Sequence, residues 1–170
     1  MKTPLAALTL LLLAAGCAST WHPHSFLPAP LEVPVGIEGE AQASVLLTVL
    51  GIRRASTGAG TPTQVEVLLQ VENLSETVVY LERGSLSLVT SDLVAFSAPR
   101  VEPATSAPLA RGEQALFEVS FPLPPGEQLD DLDLRGIHLK WTLDFEGRRV
   151  TTGVTFDRRL SGWPYRPMYY

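Results

Sequence analysis

The sequence predicts an all-β domain of seven or eight short strands arranged as two antiparallel sheets packed face to face, with a small β-barrel as the alternative. Three observations point there. Apolar residues across 41–159 recur with period two. The runs are short and bounded by Gly, Pro, Asn and Asp. No stretch of ten or more residues carries a clean 3.6-residue period, and the Gly and Pro spacing would break most helices.

Taken in chain order, "ASVLLTVLGI" (43–52) is apolar on both sides, as a strand covered on both faces would be. "ASTGAGTP" (55–62) reads as a hairpin loop; it lacks the Gly-Lys-Ser/Thr ending that would let it cradle a phosphate. "QVEVLLQVEN" (64–73) sets Val65, Val67, Leu69 and Val71 on one face, and "EQALFEVSF" (113–121) does the same with Ala115, Phe117, Val119 and Phe121. "GSLSLVT" (84–90) and "DLVAFSA" (92–98) supply two shorter strands around Thr90-Ser91-Asp92. In "GIHLKWTLDFEG" (136–147), Ile137, Leu139, Trp141, Leu143 and Phe145 alternate with His138, Lys140, Thr142 and Asp144, giving one dry face and one wet face. Glu146-Gly147 then turns the chain into "RRVTTGVTFD" (148–157), with Val150, Val154 and Phe156 as its apolar positions. Strands of this length and number suit an immunoglobulin-like sandwich.

The chain ends are organised differently from the body. Residues 1–16 hold one charge, Lys2, and an apolar run from Pro4 to Ala15. That run is too short to cross a hydrocarbon core of about 30 Å comfortably, and it has the layout of a secretory signal. Residues 17–40 carry Pro23, Pro28, Pro30 and Pro34 and read as an extended tether. Residues 41–159 form the folded body, and residues 160–170, "LSGWPYRPMYY", an aromatic tail.

Leu13-Ala14-Ala15-Gly16-Cys17 resembles the lipobox of bacterial lipoproteins, although Leu13 stands one place further from the cysteine than the commonest pattern has it. The resemblance implies cleavage before Cys17 and a diacylglyceryl group on its thiol, with fatty chains such as palmitate. Several acyl chains anchor stably because each buried methylene contributes about 0.8 kcal/mol. Ala18, where an Asp would retain the protein in the inner membrane, implies the outer membrane and its periplasmic face. The alternative is an ordinary signal cut at Gly16-Cys17-Ala18, leaving a secreted or soluble periplasmic protein. Cys17 is the only cysteine, so no disulfide can staple the fold.

A second resemblance covers about residues 64–126. "VLLQVENLSETVVYL", "GSLSLVT" and "APLARGEQALFEVSFPLPPG" look like the telokin-like, immunoglobulin-fold domains of bacterial lipoproteins. The shared marks are a strand ending in Asn73 with Ser75 after it, and a turn from Leu109 to Glu113 that enters a Phe-containing strand. The resemblance implies a fold and an envelope setting, and no activity.

Chemistry is sparse. Thirteen basic and eighteen acidic side chains give a net charge of −5, which offers nucleic acid no attraction. The Arg pairs Arg53-Arg54, Arg148-Arg149 and Arg158-Arg159 sit among acidic residues such as Glu146 and Asp157, as on a mixed solvated surface. No Gly-x-Ser-x-Gly elbow occurs, and His138 falls on the wet side of a strand with no partner suggested by spacing. No catalytic residue, cofactor or small-molecule substrate is assigned. Weak metal candidates are His22 and His24, which lack further nearby ligands, and Asp130, Asp131 and Asp133, whose spacing does not match a helical calcium loop. Leu129, Leu132 and Leu134 between those carboxylates read as packing residues. Trp163, Tyr165, Tyr169 and Tyr170 crowd aromatics into the tail, where they would pack back on the sandwich, anchor a protein partner or sit at a membrane interface.

The expected function is therefore that of a non-enzymatic, membrane-anchored envelope lipoprotein whose sandwich meets another envelope protein, in assembly or maintenance of a complex. A ligand-binding or metal-binding periplasmic module is the alternative.

Overall fold

A computed structural model of the chain describes residues 21–22, 25–55, 61–105 and 107–159. The strands among them are β1 (Trp21–His22), β2 (Ser25–Leu27), β3 (Leu31–Ile37), β4 (Glu40–Arg53), β5 (Gln64–Asn73), β6 (Val79–Leu81), β7 (Ser87–Thr90), β8 (Arg100–Glu102), β9 (Gln114–Pro122), β10 (Gly136–Phe145) and β11 (Arg148–Arg159). They form two antiparallel sheets of six and five strands, a sandwich with open edges.

The first sheet runs β4-β5-β9-β8, with β3 and β1 following one another along the outer side of β4. The second runs β2-β11-β10, with β6 and β7 following one another along the far side of β10. Consecutive segments β1, β2 and β3 thus alternate between the two sheets. Two hairpins share one turn chemistry. Glu38-Gly39 joins β3 to β4 and Glu146-Gly147 joins β10 to β11, all four residues at positive φ. Two-residue turns of that hand match the right-handed twist of the strands they join, and the glycine takes the position a side chain would strain. The Asp144 carboxylate accepts the Gly147 N–H at 2.5 Å and closes the second turn.

The core lies between the sheets, and the period-two pattern fills it. Val45, Leu47 and Val49 of β4, Val65, Val67, Leu69 and Val71 of β5, Phe117, Val119 and Phe121 of β9, and Ile137, Leu139, Trp141, Leu143 and Phe145 of β10 are all buried. Trp141 is fully buried and is the largest of these side chains. On the outer face of β4, Leu46, Thr48 and Leu50 are only half-buried, so this strand is less deeply covered than its composition suggests.

Three expectations need correction. The folded body does not begin at 41, because residues 31–37 of the expected tether are β3 and Phe26 of β2 is 1% exposed. Pro34 is tolerated because β3 is an edge strand, where a missing N–H has no ladder partner to lose on its outer side. "DLVAFSA" is no strand. Leu93 turns at positive φ, Thr90 Oγ1 accepts the Val94 N–H at 3.0 Å, and a single bridge joins Val89 to Ala95. There are also more strands than seven or eight, since segments of two or three residues (β1, β2, β6, β8) are too short to show a period.

Candidate partner-binding edge

The two marks of the lipoprotein-domain resemblance meet in space. Asn73 ends β5 fully buried, and its Nδ2 donates to the carbonyls of Thr77 at 2.7 Å and Leu109 at 2.8 Å. Its Oδ1 accepts the Ser75 N–H at 2.9 Å and hydroxyl at 2.8 Å. The Asn73 backbone pairs with Gly112 and Glu113 of the turn, and the Glu113 carboxylate accepts the Ala110 N–H at 2.8 Å. Every polar atom of the amide has a protein partner. The arrangement is a latch holding two loops together, not a site with a free group.

The acidic cluster does not converge on a cation. Both carboxylate oxygens of Asp133 are held by Arg135, whose Nε lies 2.9 and 3.1 Å from them. Asp130 lies 3.9 Å from Arg54 instead. No three His, Cys, Asp or Glu side chains among the described residues are grouped to hold a metal ion. Leu132 and Leu134 are buried between them, as packing residues should be. The side-chain hydrogen bonds from Arg135, reinforced by its backbone N–H, bring the Asp133 carboxyl down to about 2 from its ordinary 3.8, while the Arg135 guanidinium is raised. Folding lowers this pKa, so the small stability that ionised Asp133 contributes is present above about pH 4 and lost as pH falls toward 2. A carbon-detected NMR titration should place this carboxyl below every ordinary Asp, and Arg135→Leu should return it to the usual range.

Two of the three arginine pairs, Arg53-Arg54 and Arg148-Arg149, face carboxylates, though not Glu146 and Asp157. Arg53 pairs with Glu66 at 3.0 Å, Arg148 with Glu38 at 2.9 Å and Arg149 with Glu82. His138 is exposed, its Nδ1 3.2 Å from Thr155 Oγ1 and its ring over Gly153, where a Cβ would come within 2.7 Å of Nε2. This imidazole–hydroxyl pair stands on the open outer face of a sheet. A groove of about 390 Å³ beside residues 103–109 is lined by Pro103, Pro108, Leu109, Ala115 and Phe117, with Glu113 as its one carboxylate. The His22 backbone pairs with Ile52. His24, Cys17 and the tail residues Trp163, Tyr165, Tyr169 and Tyr170 lie outside the described residues.

What the structure adds is a sheet edge with no ladder partner among the described residues, flanked by β3 of the other sheet and by the Arg148–Glu38 ion pair. A free edge offers unpaired backbone N–H and C=O groups to any passing strand, so natural sheets shorten, bend or charge it. Three of the lateral edges follow that rule. β3 carries Pro34 and a register break between Val35 and Gly36. β8 has three residues. β6 and β7 have three and four, split by the single turn Arg83–Ser85.

β11 does not follow it. All of its residues from Arg148 to Asp157 pair with β10 on one side. On the other side only Asp157, Arg158 and Arg159 pair, with β2. Residues 148–156 have no ladder partner there among the described residues. From Val150 to Phe156 this stretch holds no proline and no charge. Its inward side chains Val150, Thr152 and Val154 are half-buried, and its outward Thr151, Gly153 and Thr155 are exposed.

No protein-family model and no curated protein matches this chain. The fold and the β11 edge therefore stand on the residues alone. No helix among the described residues is long and apolar enough to cross a membrane.

Proposed function

We propose that this chain is a non-enzymatic lipoprotein of the bacterial envelope, anchored at Cys17 to the periplasmic face of the outer membrane, whose sandwich docks a protein partner by strand addition along β11. The observation that carries the docking is the stretch of nine β11 residues with no ladder partner on one side among the described residues, a form of surface that gains affinity from main-chain hydrogen bonds and specificity from alternate side chains. The address rests on the apolar run ending in Leu13-Ala14-Ala15-Gly16-Cys17. The tail aromatics Trp163, Tyr165, Tyr169 and Tyr170 are further anchors for the same kind of partner.

Mass spectrometry of the mature chain tests the address. The expected species begins at Cys17 and carries a diacylglyceryl thioether, and Cys17→Ser moves the protein from the membrane to the soluble fraction. A bare thiol at Cys17 in soluble protein overturns the anchor. For the docking, a photo-crosslinking amino acid at position 151 in membranes is expected to yield a protein adduct, and its absence overturns the role of β11.

A further inference from the structure

We infer that the strand completing β11 is the β11 of a second copy of this chain, joined antiparallel across a two-fold axis at Thr152; the inference rests on the docking reading of this edge. Pleating comes first. Directly opposed residues of antiparallel strands share a face, so a strand paired with itself must match even positions with even and odd with odd. Among such registers, the one centred on Thr152 uses all nine free residues. It sets Val150 against Val154 of the second copy, Thr151 against Gly153, Arg149 against Thr155 and Arg148 against Phe156. A register shifted by two or more positions loses pairs, because β2 occupies the edge at Asp157 and the Glu146-Gly147 turn ends the strand at the other side.

The side chains agree with this register. On the inward face the half-buried Val150 and Val154 meet in two symmetric pairs with Thr152 between them, which buries the apolar surface that the sandwich leaves partly open. On the outward face Thr151 meets Gly153, over which the His138 ring of the same copy lies. Charge selects the direction. Antiparallel pairing puts Arg149 of the two copies six residues apart along the strand, about 20 Å at 3.4 Å per residue and beyond the screening length of about 8 Å. Parallel pairing would set the two Arg148-Arg149 pairs side by side. Antiparallel pairing also places Arg149, which pairs with Glu82 of its own copy, diagonal to Asp157 of the second copy. The contact is isologous, each copy supplying the same residues to the other, and joins two five-stranded sheets into one of ten. Tethering both copies to one membrane raises their effective concentration, so a narrow contact suffices.

Disulfide trapping on the full chain in intact cells tests it. Opposed Cα atoms in an antiparallel pair lie about 4.5–5.5 Å apart, inside disulfide range. Thr152→Cys is expected to give a band at twice the mass of one chain on a non-reducing gel, whereas Thr155→Cys, its two copies about 20 Å apart, stays monomeric. Cys17 is common to both variants, so it does not produce the difference. Equal crosslinking of the two, or none from Thr152→Cys, overturns the register. A photo-crosslinker at the exposed position 151 covers the case in which a cysteine variant fails to fold and separates the two readings. An adduct of two identical chains supports the second copy. An adduct with a different protein overturns the second copy and leaves the docking edge standing. No protein adduct overturns both.

Discussion

Asn73→Ala is expected to destabilise the domain by about 3 kcal/mol, read as a lower midpoint in urea unfolding. The side chain makes four hydrogen bonds while fully buried, and each is worth about 0.5–1.5 kcal/mol net. Alanine leaves the Ser75 N–H without its acceptor and the Leu109 and Thr77 carbonyls without their donor, while the backbone bonds of residue 73 to Gly112 and Glu113 remain. Asn73→Asp should be at least as damaging although it is isosteric. One carboxylate oxygen would then face the carbonyls of Thr77 and Leu109, which need a donor, and a charge would be buried there. Ser75→Ala, which removes the hydroxyl and leaves the Ser75 backbone bond in place, should lose about 1 kcal/mol. If Asn73→Ala unfolds at the wild-type midpoint, the latch holds nothing.

Trp141→Ala should remove about 3–5 kcal/mol and lower the thermal midpoint by about 10 °C, because it empties the largest buried volume of the core. Its surroundings are β-strands held by ladders on both sides, which collapse poorly into a void. Trp141→Phe is the informative companion. The indole Nε1 is buried with no hydrogen-bond partner among the described residues, so losing it removes an unsatisfied donor together with some contact area. The net loss should then be below about 2 kcal/mol. Equal losses from Phe and Ala would mean that the indole nitrogen has a partner after all.

Legibility in the sequence followed repetition. β5, β9, β10 and β11 were readable because nine or more residues alternate apolar and polar, and the Glu146-Gly147 turn was readable because only a few residue pairs suit two positive φ values. β3 was not, since its prolines weighed against a ladder and its role as an edge strand, which admits Pro34, exists only once β4 lies beside it. "DLVAFSA" misled in the opposite direction. Its composition favours a strand, yet the Thr90 hydroxyl ties the chain into a tight return. Asn73 and the Leu109–Glu113 turn both stand out in the sequence, but nothing in the spacing of thirty-six residues between Asn73 and Leu109 says that one holds the other.

The sequence by itself determined the class of the fold, the core-facing residues of the long strands, the absence of any disulfide and the candidate anchor at Cys17. Each of these depends on local period or composition. Only the tertiary structure decided which edges are shortened or bent and which keeps a long unpaired side among the described residues, that Asp130 and Asp133 turn to arginines, and that Asn73 is a latch. An edge is defined by the neighbour that a strand lacks, and neighbours in a sheet are set by packing between segments far apart in the chain. The residues 148–156 read the same whether the strand is flanked on both sides or on one, so the open face of β11 appears only when β2 is seen to stop at Asp157.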